Sequence, residues 1–279
     1  MRLCLRELPE RFDSPEAWLA LLKRLGYTAA YAPVDEKAPD ALIQEYAAAA
    51  RENDIVISEV NAWSNPISSD PSVREAAIAF CIRRLELAEK LGARCCVNIA
   101  GSKAAQWDGP HPDNFLPAVQ EEIVRSVQRI VSAVRPQRTR YSLEPMPFMP
   151  PDSPENYLEL VRAVDMRGFG VHCDPVNIIS SPRLHYANGA MIRRFFSLLG
   201  PYIDSCHIKD TTLGNTLTVH LGEACPGDGG LDIAAYLRCI NALHPDTTLL
   251  VEHQPDAAAY ARGAAHIRAV ARREGIPLA

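Results

Sequence analysis

Short apolar segments alternate with longer helical patterns along the whole chain, and this alternation restricts the fold more than any other feature. The segments that predict strands lie at 2–6, 27–32, 54–60, 94–99, 139–144, 168–174, 202–208 and 247–252. Helical patterns follow them, near 14–25, 39–53, 71–91, 113–134, 153–165, 187–199, 231–243 and 255–273. Eight strands, each followed by a helix, are typical of a parallel sheet that closes into a (β/α)8 barrel, the TIM barrel.

Capping residues mark where several of these helices begin and end. The segments 13–16 and 152–155 both read DSPE, which places a serine before a proline at the first helical position. Asp70 also precedes a proline. Gly26 and Gly92 lie just past two helix ends, where a left-handed backbone is common. The predicted helix boundaries therefore have a chemical basis.

The main alternative to a closed barrel is an open, doubly wound sheet. Such sheets usually carry a glycine-rich phosphate loop after the first strand, and the segment LRELPERFD at 5–13 contains no glycine. No linker-like or low-complexity stretch interrupts the chain. We therefore expect one barrel domain spanning 1–279, with an inserted loop on the rim at about 211–230.

Composition disfavours several classes of protein. The net charge is -5, from 29 basic and 34 acidic residues, whereas a nucleic-acid-binding face needs an excess of basic groups. No apolar run reaches the roughly 18 residues that would span a membrane, and the first residues lack the apolar core of a signal peptide. We therefore expect a cytoplasmic protein without a nucleic-acid or membrane partner. Its eight cysteines are scattered along the chain, and we expect them to be buried, reduced thiols.

A side chain that can bind metal stands at the carboxyl end of each of the last four predicted strands. These side chains are Glu144, Asp174, His207 and Glu252. Any one of them alone would more often be an ion-paired or capping residue, but the carboxyl ends of barrel strands converge on one rim. Three carboxylates and one imidazole favour Mn²⁺, with Mg²⁺ or Co²⁺ as alternatives, over a thiolate zinc site. The sequence predicts one divalent metal ion and no organic cofactor.

Five short motifs connect the chain with a known superfamily. They are SLEPMP (142–147), VHCDPVN (171–177), SCHIKD (205–210), PGDGGLDI (226–233) and LLVEH (249–253). At these residues the chain resembles the xylose-isomerase-like TIM barrels, which include sugar phosphate isomerases and epimerases, dehydratases and, more distantly, endonuclease IV. The resemblance covers essentially the whole chain. It implies that Glu144, Asp174, His207 and Glu252 bind the metal, and that Glu144 and Glu252 are also the catalytic acid–base pair.

Three positions depart from the pattern of the sugar epimerases in that superfamily. Those enzymes carry a histidine three residues after the metal-binding aspartate, an arginine six after the histidine, and a second glutamate six after the first. Here Asn177, Leu213 and Pro150 stand at these positions. The resemblance therefore extends to the metal ligands but not to the ketohexose-binding residues.

Other side chains near the strand ends could face a substrate. The candidates for substrate binding are His172, Asn177, Lys209, Asp210, Asn98, Glu59, Trp63 and Trp107. His172 shares a strand face with Asp174, but a structural position inside the barrel is an equal alternative. Asp210 could instead orient His207 from behind. The two tryptophans could stack on a sugar ring or simply pack their loops.

These residues together predict a reaction at a carbon next to a carbonyl. A metal that chelates a carbonyl and a neighbouring hydroxyl makes the α-proton acidic, so that a glutamate can remove it and leave an enediolate. Return of the proton gives an epimer or an isomer, whereas loss of a β-hydroxyl gives elimination. We expect a metal-dependent isomerase or epimerase of a small sugar, keto-sugar or polyhydroxy acid. The alternative is a lyase or dehydratase acting on a keto-cyclitol or a 3-keto-glycoside.

Two further classes are weaker alternatives. An abasic-site endonuclease of the endonuclease IV type holds three metals with many histidines, but only His172, His220 and His253 lie near strand ends beyond the four ligands, and the chain is acidic. A non-enzymatic binding module would not need the glutamate pair. The expected partner is therefore a small carbohydrate-like molecule, and the resemblance alone suggests a homodimer.

Overall fold

The computed structural model describes residues 1–279 as eleven strands and nine α-helices. The strands are β1 (Arg2–Leu5), β2 (Ala29–Ala30), β3 (Val56–Ile57), β4 (Glu59–Asn61), β5 (Cys95–Asn98), β6 (Arg140–Leu143), β7 (Phe169–Cys173), β8 (Ile203–Ile208), β9 (Asp210–Leu213), β10 (Leu221–Ala224) and β11 (Thr248–Val251). The helices are α1 (Pro15–Leu25), α2 (Asp40–Glu52), α3 (Pro71–Leu91), α4 (Pro117–Val134), α5 (Pro154–Val164), α6 (Pro182–Tyr186), α7 (Asn188–Leu199), α8 (Ile233–Asn241) and α9 (Ala257–Arg273).

The parallel strands form the wall of a barrel. Seven of them pair in the order β1-β11-β8-β7-β6-β5-β4, and β2 pairs with β3. The predicted third strand is divided at Ser58, so that β3 contacts β2 on one side while β4 contacts β5 on the other. The two pieces occupy one barrel position, which gives eight positions in all. The predicted TIM barrel is confirmed.

The predicted caps hold the helices where the sequence places them. Ser14 and Ser153 each accept a hydrogen bond from a backbone N–H in the first turn of their helix, and Asp70 accepts two. Gly26 and Gly92 adopt φ angles of 71° and 69°, in the left-handed region that a residue with a Cβ rarely enters. The caps fix the points at which the chain turns back toward the barrel.

The core lies inside the barrel and between its wall and the helices. It is one cluster of 63 buried residues, with Trp18, Tyr157 and Tyr236 among its largest side chains. All eight cysteines are free, and seven of them are buried as expected, whereas Cys239 is partly exposed. No helix combines the length and the apolar character that crossing a membrane requires.

The largest difference from the predicted elements is in the rim segment 211–230. Instead of an irregular loop it contains an antiparallel hairpin, in which β9 pairs with β10 and Leu213 lies opposite Leu221. The helix expected from 113 begins at Pro117, because Pro112–Phe115 forms a separate 3₁₀ turn. A proline is favoured at the first helical position, where no N–H is needed.

Candidate metal centre

The four predicted ligands converge at the carboxyl end of the barrel. One donor atom from each of Glu144, Asp174, His207 and Glu252 lies within 4.8 Å of the others, and all four side chains are buried. The Nδ1 atom of His207 is 3.0 Å from Glu144 Oε1 and 2.9 Å from Glu252 Oε2. The convergence arises because β6, β7, β8 and β11 are parallel and neighbouring, so their ends meet at one edge.

A carboxylate on the far side of His207 orients its ring. Glu59, at the start of β4, places Oε1 2.9 Å from His207 Nε2, and both side chains are fully buried. This contact is suited to an Nε2–H donor, so that Nδ1 is the nitrogen that would bind a cation in place of a proton. Glu59 was expected to bind substrate; in the structure its carboxylate is fully buried against His207, in a position that orients the ring.

Asp210 has a different role from either of those predicted. Its carboxylate accepts hydrogen bonds from the backbone N–H groups of Thr211, Gly227 and Leu231, at 2.8, 2.9 and 2.8 Å. It makes no contact with His207 and is 1% exposed. The acceptor positions of Asp210 are occupied by the base of the hairpin, so the structure shows neither the predicted contact with His207 nor a free carboxylate for a substrate.

Lys209 brings a positive charge into the carboxylate cluster. Its Nζ atom is 2.5 Å from Asp174 Oδ2, 2.5 Å from Glu252 Oε1 and 3.3 Å from Glu223 Oε1. The lysine side chain is fully buried. Side chains in an extended segment point alternately to its two faces. Lys209 is two residues after His207 and therefore points to the same side as His207.

The charged groups in the cluster shift one another's pKa values. Burial raises the pKa of Asp174 to about 7. Burial acts in the same direction on Glu144 and Glu252, but attraction to His207 and the other nearby cationic side chains, including Lys209 at Glu252, together outweighs it, and the pKa of each glutamate lies below its ordinary value. Burial opposes the charge on His207, yet the surrounding carboxylates hold its pKa well above normal. A buried set of three carboxylates and one imidazole nitrogen fits a divalent cation.

A cavity of about 370 Å³ opens above the cluster. Glu144, Glu252 and Asn177 lie in its lining, and Trp63 and Trp107 also contribute to it, as expected for walls that could stack on a ring. Asn177 Nδ2 donates to Glu144 Oε1 at 3.3 Å. The predicted rim residues thus surround an opening that leads to two of the four ligands.

Two of the predicted substrate-binding residues lie beneath the cluster instead. Asn98 is fully buried, accepts a hydrogen bond from Ser64 N and donates to the Tyr141 hydroxyl. Its amide is engaged inside the barrel, and a contact between Asn98 and the substrate stays a prediction. His172 is also fully buried, with Nε2 3.3 Å from Glu59 Oε2, and neither ring nitrogen has a well-formed hydrogen bond. Of its two alternatives, the internal position is the one observed.

Three residues at the cavity lay outside the predicted set. Glu223 on β10 places Oε2 2.9 Å from His253 Nδ1, and the His253 backbone has a φ of 54°. The hydrogen bond to Glu223 raises the pKa of His253. Arg6 lies over the rings of Tyr31 and Trp63, at 5.5 and 5.8 Å from their centroids. The only signals for these residues were the polar character of the inserted segment and the position of His253 directly after Glu252.

Comparison with known proteins identifies the family. Residues 19–270 match the model of the xylose isomerase-like TIM barrel. The chain belongs to the xylose isomerase-like TIM barrel family, as its motifs suggested. No curated protein matches the chain significantly.

Solved structures with the same fold include sugar epimerases and a dehydratase. D-Psicose 3-epimerase from Clostridium cellulolyticum H10, solved with D-tagatose, is 16% identical over 99% of this chain and 100% of that one, with a TM-score of 0.70. The 3-keto-D-glucoside 4-epimerase of E. coli is 17% identical over 96% and 99%, with a TM-score of 0.68. A probable 3-DHS dehydratase from Bacillus anthracis is 15% identical over 97% and 98%, with a TM-score of 0.69. At these identities the likeness concerns the fold.

Proposed function

We propose that the protein is a divalent-metal-dependent isomerase or epimerase of a small keto-sugar or polyhydroxy acid. The observation that carries the proposal is the buried convergence of Glu144, Asp174, His207 and Glu252 beneath an open cavity. These four residues would hold the cation, with Mn²⁺ as the expected ion and Mg²⁺ or Co²⁺ as alternatives. A cation held there supplies Lewis-acid polarisation of a substrate carbonyl and its neighbouring hydroxyl.

Two carboxylates would move the proton. Glu144 and Glu252 both line the cavity, and the pKa of each lies below its ordinary value because of His207 together with the other cationic side chains nearby. Each is therefore ionised at neutral pH and able to accept a proton from the carbon beside the carbonyl. One glutamate removes the proton and the other returns it, either to the same carbon or to its neighbour.

Other residues of the cavity would position the substrate. Trp63 and Trp107 offer flat walls to a sugar ring. Asn177 donates to Glu144 and is placed to orient that carboxylate. Lys209 is paired with Asp174 and Glu252, so it balances the negative charge of the cluster instead of meeting the substrate freely.

Proton exchange with solvent tests the proposal directly. The metal-loaded protein is incubated in D₂O with keto-sugars and polyhydroxy acids, and deuterium at the α-carbon is followed by NMR. Glu144→Gln and Glu252→Gln should lower exchange by about 10²-fold or more, since each loses its proton acceptor. Glu121→Gln, at an exposed glutamate on α4 whose side chain is 73% accessible, is the matched control. Full exchange in both site variants would refute the mechanism.

The second candidate is a lyase or dehydratase acting on a keto-cyclitol or 3-keto-glycoside. The observation that favours it is His253, whose Nε2 lies 3.6 Å from Glu252 Oε2 at the cavity and whose pKa is raised by Glu223. A protonated imidazole there could donate to a leaving oxygen, a step that elimination requires. An unsaturated or cleaved product in the D₂O incubation, lost in His253→Gln, would support this reaction over epimerisation.

A further inference from the structure

A second cavity lies beside the one above the metal centre. Its volume is about 470 Å³, within the range of roughly 300–1,000 Å³ that small-molecule sites occupy. The two cavities share Asn177 and Glu223 in their linings. They are therefore neighbouring compartments of one opening on the barrel rim.

The second cavity differs from the first in its chemistry. Its apolar lining includes Phe148, Val176, Ile179, Val219 and Leu221. Glu223 is the only charged residue in that lining, and its carboxylate is already engaged by His253 and Lys209 on the side of the metal centre. No free charge faces the second compartment.

The cavity above the metal centre is, in contrast, rich in charge. Arg6, Glu7 and Asp108 join Glu144 and Glu252 in its lining. Such a surface can hydrogen-bond to hydroxyl and carbonyl groups, and Trp63 and Trp107 add flat walls to it. The two compartments thus differ mainly in the number of charged residues in their linings.

The walls of the apolar compartment are partly open to water. Phe148 is 42% exposed and Val219 is 53% exposed. An apolar group inserted between them would remove surface from water on both sides, which is a favourable contribution to binding. An exposed apolar patch that lines a cavity beside a reactive centre is typical of a ligand site.

The three positions at which the chain departs from the sugar epimerases lie on segments that contribute residues to the lining of the second cavity. Asn177 lines the cavity directly. Leu213 pairs with Leu221 across the hairpin. Pro150 belongs to the short loop after β6 that carries Phe148, and this loop is closed by a hydrogen bond from Met146 N to Pro151 O. Of the three positions only Asn177 lines the compartment itself, and its neutral side chain adds no charge there.

We propose that the substrate has two parts. One is a polyhydroxylated keto-sugar that binds in the charged compartment. The other is an apolar substituent of aromatic-ring size that binds in the apolar compartment, between Phe148 and Val219. The identity of the first part rests on the proposed function. The apolar compartment is a specificity site for the second part, and a glycoside with an aromatic aglycone has this construction.

Binding of a matched pair of glycosides tests the proposal. Methyl and phenyl 3-keto-β-D-glucopyranoside are titrated into the Mn²⁺-loaded protein by calorimetry, with tryptophan fluorescence as a second signal. The phenyl compound should bind about tenfold more tightly or better, because its ring is buried among apolar side chains. Equal affinity, or no binding of either compound, would overturn the proposal.

Two variants test whether the preference for the phenyl compound arises in the apolar compartment. Val219→Asp introduces a charge and Ser180→Trp fills the space, and both positions are exposed, so the fold should tolerate them. Each should abolish the preference for the phenyl compound while leaving the methyl compound's affinity unchanged. Val73→Asp, at a valine on α3 that is 47% exposed, should retain the preference. A preference that survives both site variants would contradict the assignment.

Binding and proton exchange together separate this inference from the proposed function. Exchange of the methyl compound's α-proton without a phenyl preference would leave the function standing and overturn the two-part substrate. A phenyl preference that Val219→Asp abolishes, with no exchange in any sugar, would support the apolar compartment and refute the proposed reaction.

Discussion

His207 presents its two ring nitrogens to two different sets of carboxylates. Nδ1 faces Glu144 and Glu252, at 3.0 and 2.9 Å, whereas Nε2 faces Glu59 at 2.9 Å. A histidine that binds metal through one nitrogen is commonly held by a carboxylate on the other, which fixes the ring and makes it a better donor. At the scale of single residues, Glu59 is therefore placed to orient His207 toward the proposed cation.

Glu59→Gln should weaken metal binding without unfolding the protein. The amide keeps the size of the side chain but loses the charge that holds the Nε2 proton, so the affinity for Mn²⁺ should fall by about 10–100-fold. The measurement is a calorimetric titration of Mn²⁺ into protein stripped with a chelator, with far-ultraviolet circular dichroism as the check on folding. The exposed variant Glu121→Gln should bind as the wild type does. An unchanged dissociation constant in Glu59→Gln would show that the contact does not orient His207.

The sequence predicted the four converging residues but not how the residues beneath them are used. Glu144, Asp174, His207 and Glu252 follow from position alone, because each stands at the end of a recognisable strand. The contact between Glu59 and His207 joins residues 148 positions apart. It depends on the stagger of strands across the barrel, which hydrophobic periodicity does not determine.

At the scale of elements, the hairpin β9–β10 depends on one buried carboxylate. Asp210 accepts from Thr211 N and Leu231 N through Oδ1, and from Gly227 N through Oδ2. The same hairpin carries Glu223, which contacts Lys209 and His253 at the metal centre. The order of the rim segment and the geometry of the cavity are thereby connected.

Asp210→Asn should loosen the hairpin more than its small change in size suggests. Whichever way the amide is turned, its NH₂ group faces a backbone N–H that previously had an acceptor. The unmet donor should cost on the order of 2–3 kcal/mol, and hydrogen exchange across 211–231 should accelerate while that of α3 does not. Asp228→Asn is the control, because Asp228 is exposed and its side chain contacts Arg262. Equal exchange in the two variants would contradict this role for Asp210.

The elements that the sequence predicted best are those with both a periodic core face and a cap. Helix α3 begins after Asp70 and ends before Gly92, as expected, because each boundary carries its own chemical signal. The hairpin was missed because β10 is mostly exposed, so no alternating apolar pattern marks it. The division of the third strand at Ser58 follows from pairing with two different neighbours, which is a property of the closed barrel.

At the scale of the whole molecule, the centre concentrates negative charge where water is excluded. Glu59, Glu144, Asp174 and Glu252 are buried, with His207 and Lys209 as their closest cationic partners and His172 and His253 at longer distances. Buried carboxylates that lack a full set of positive partners oppose folding. A divalent cation binds the folded chain, where the ligands converge, and not the unfolded one, so the stability of the protein should depend on the metal.

The rise in Tm on addition of the metal measures that dependence. A ligand present at about 100 times its dissociation constant adds roughly 2.7 kcal/mol to the free energy of unfolding, and in a chain of this length that corresponds to a rise in Tm of roughly 5–10 °C. Scanning calorimetry of the chelator-stripped protein, before and after addition of Mn²⁺ or Mg²⁺, gives the shift. Asp174→Asn removes one ligand and should lose most of it, whereas Asp228→Asn should retain it in full. An equal rise in Tm in the wild type, Asp174→Asn and Asp228→Asn would mean that the cation stabilises the fold by binding elsewhere on the protein. A shift confined to the proteins that keep Asp174 would tie the stability of the barrel to the same four side chains that are proposed to carry its chemistry.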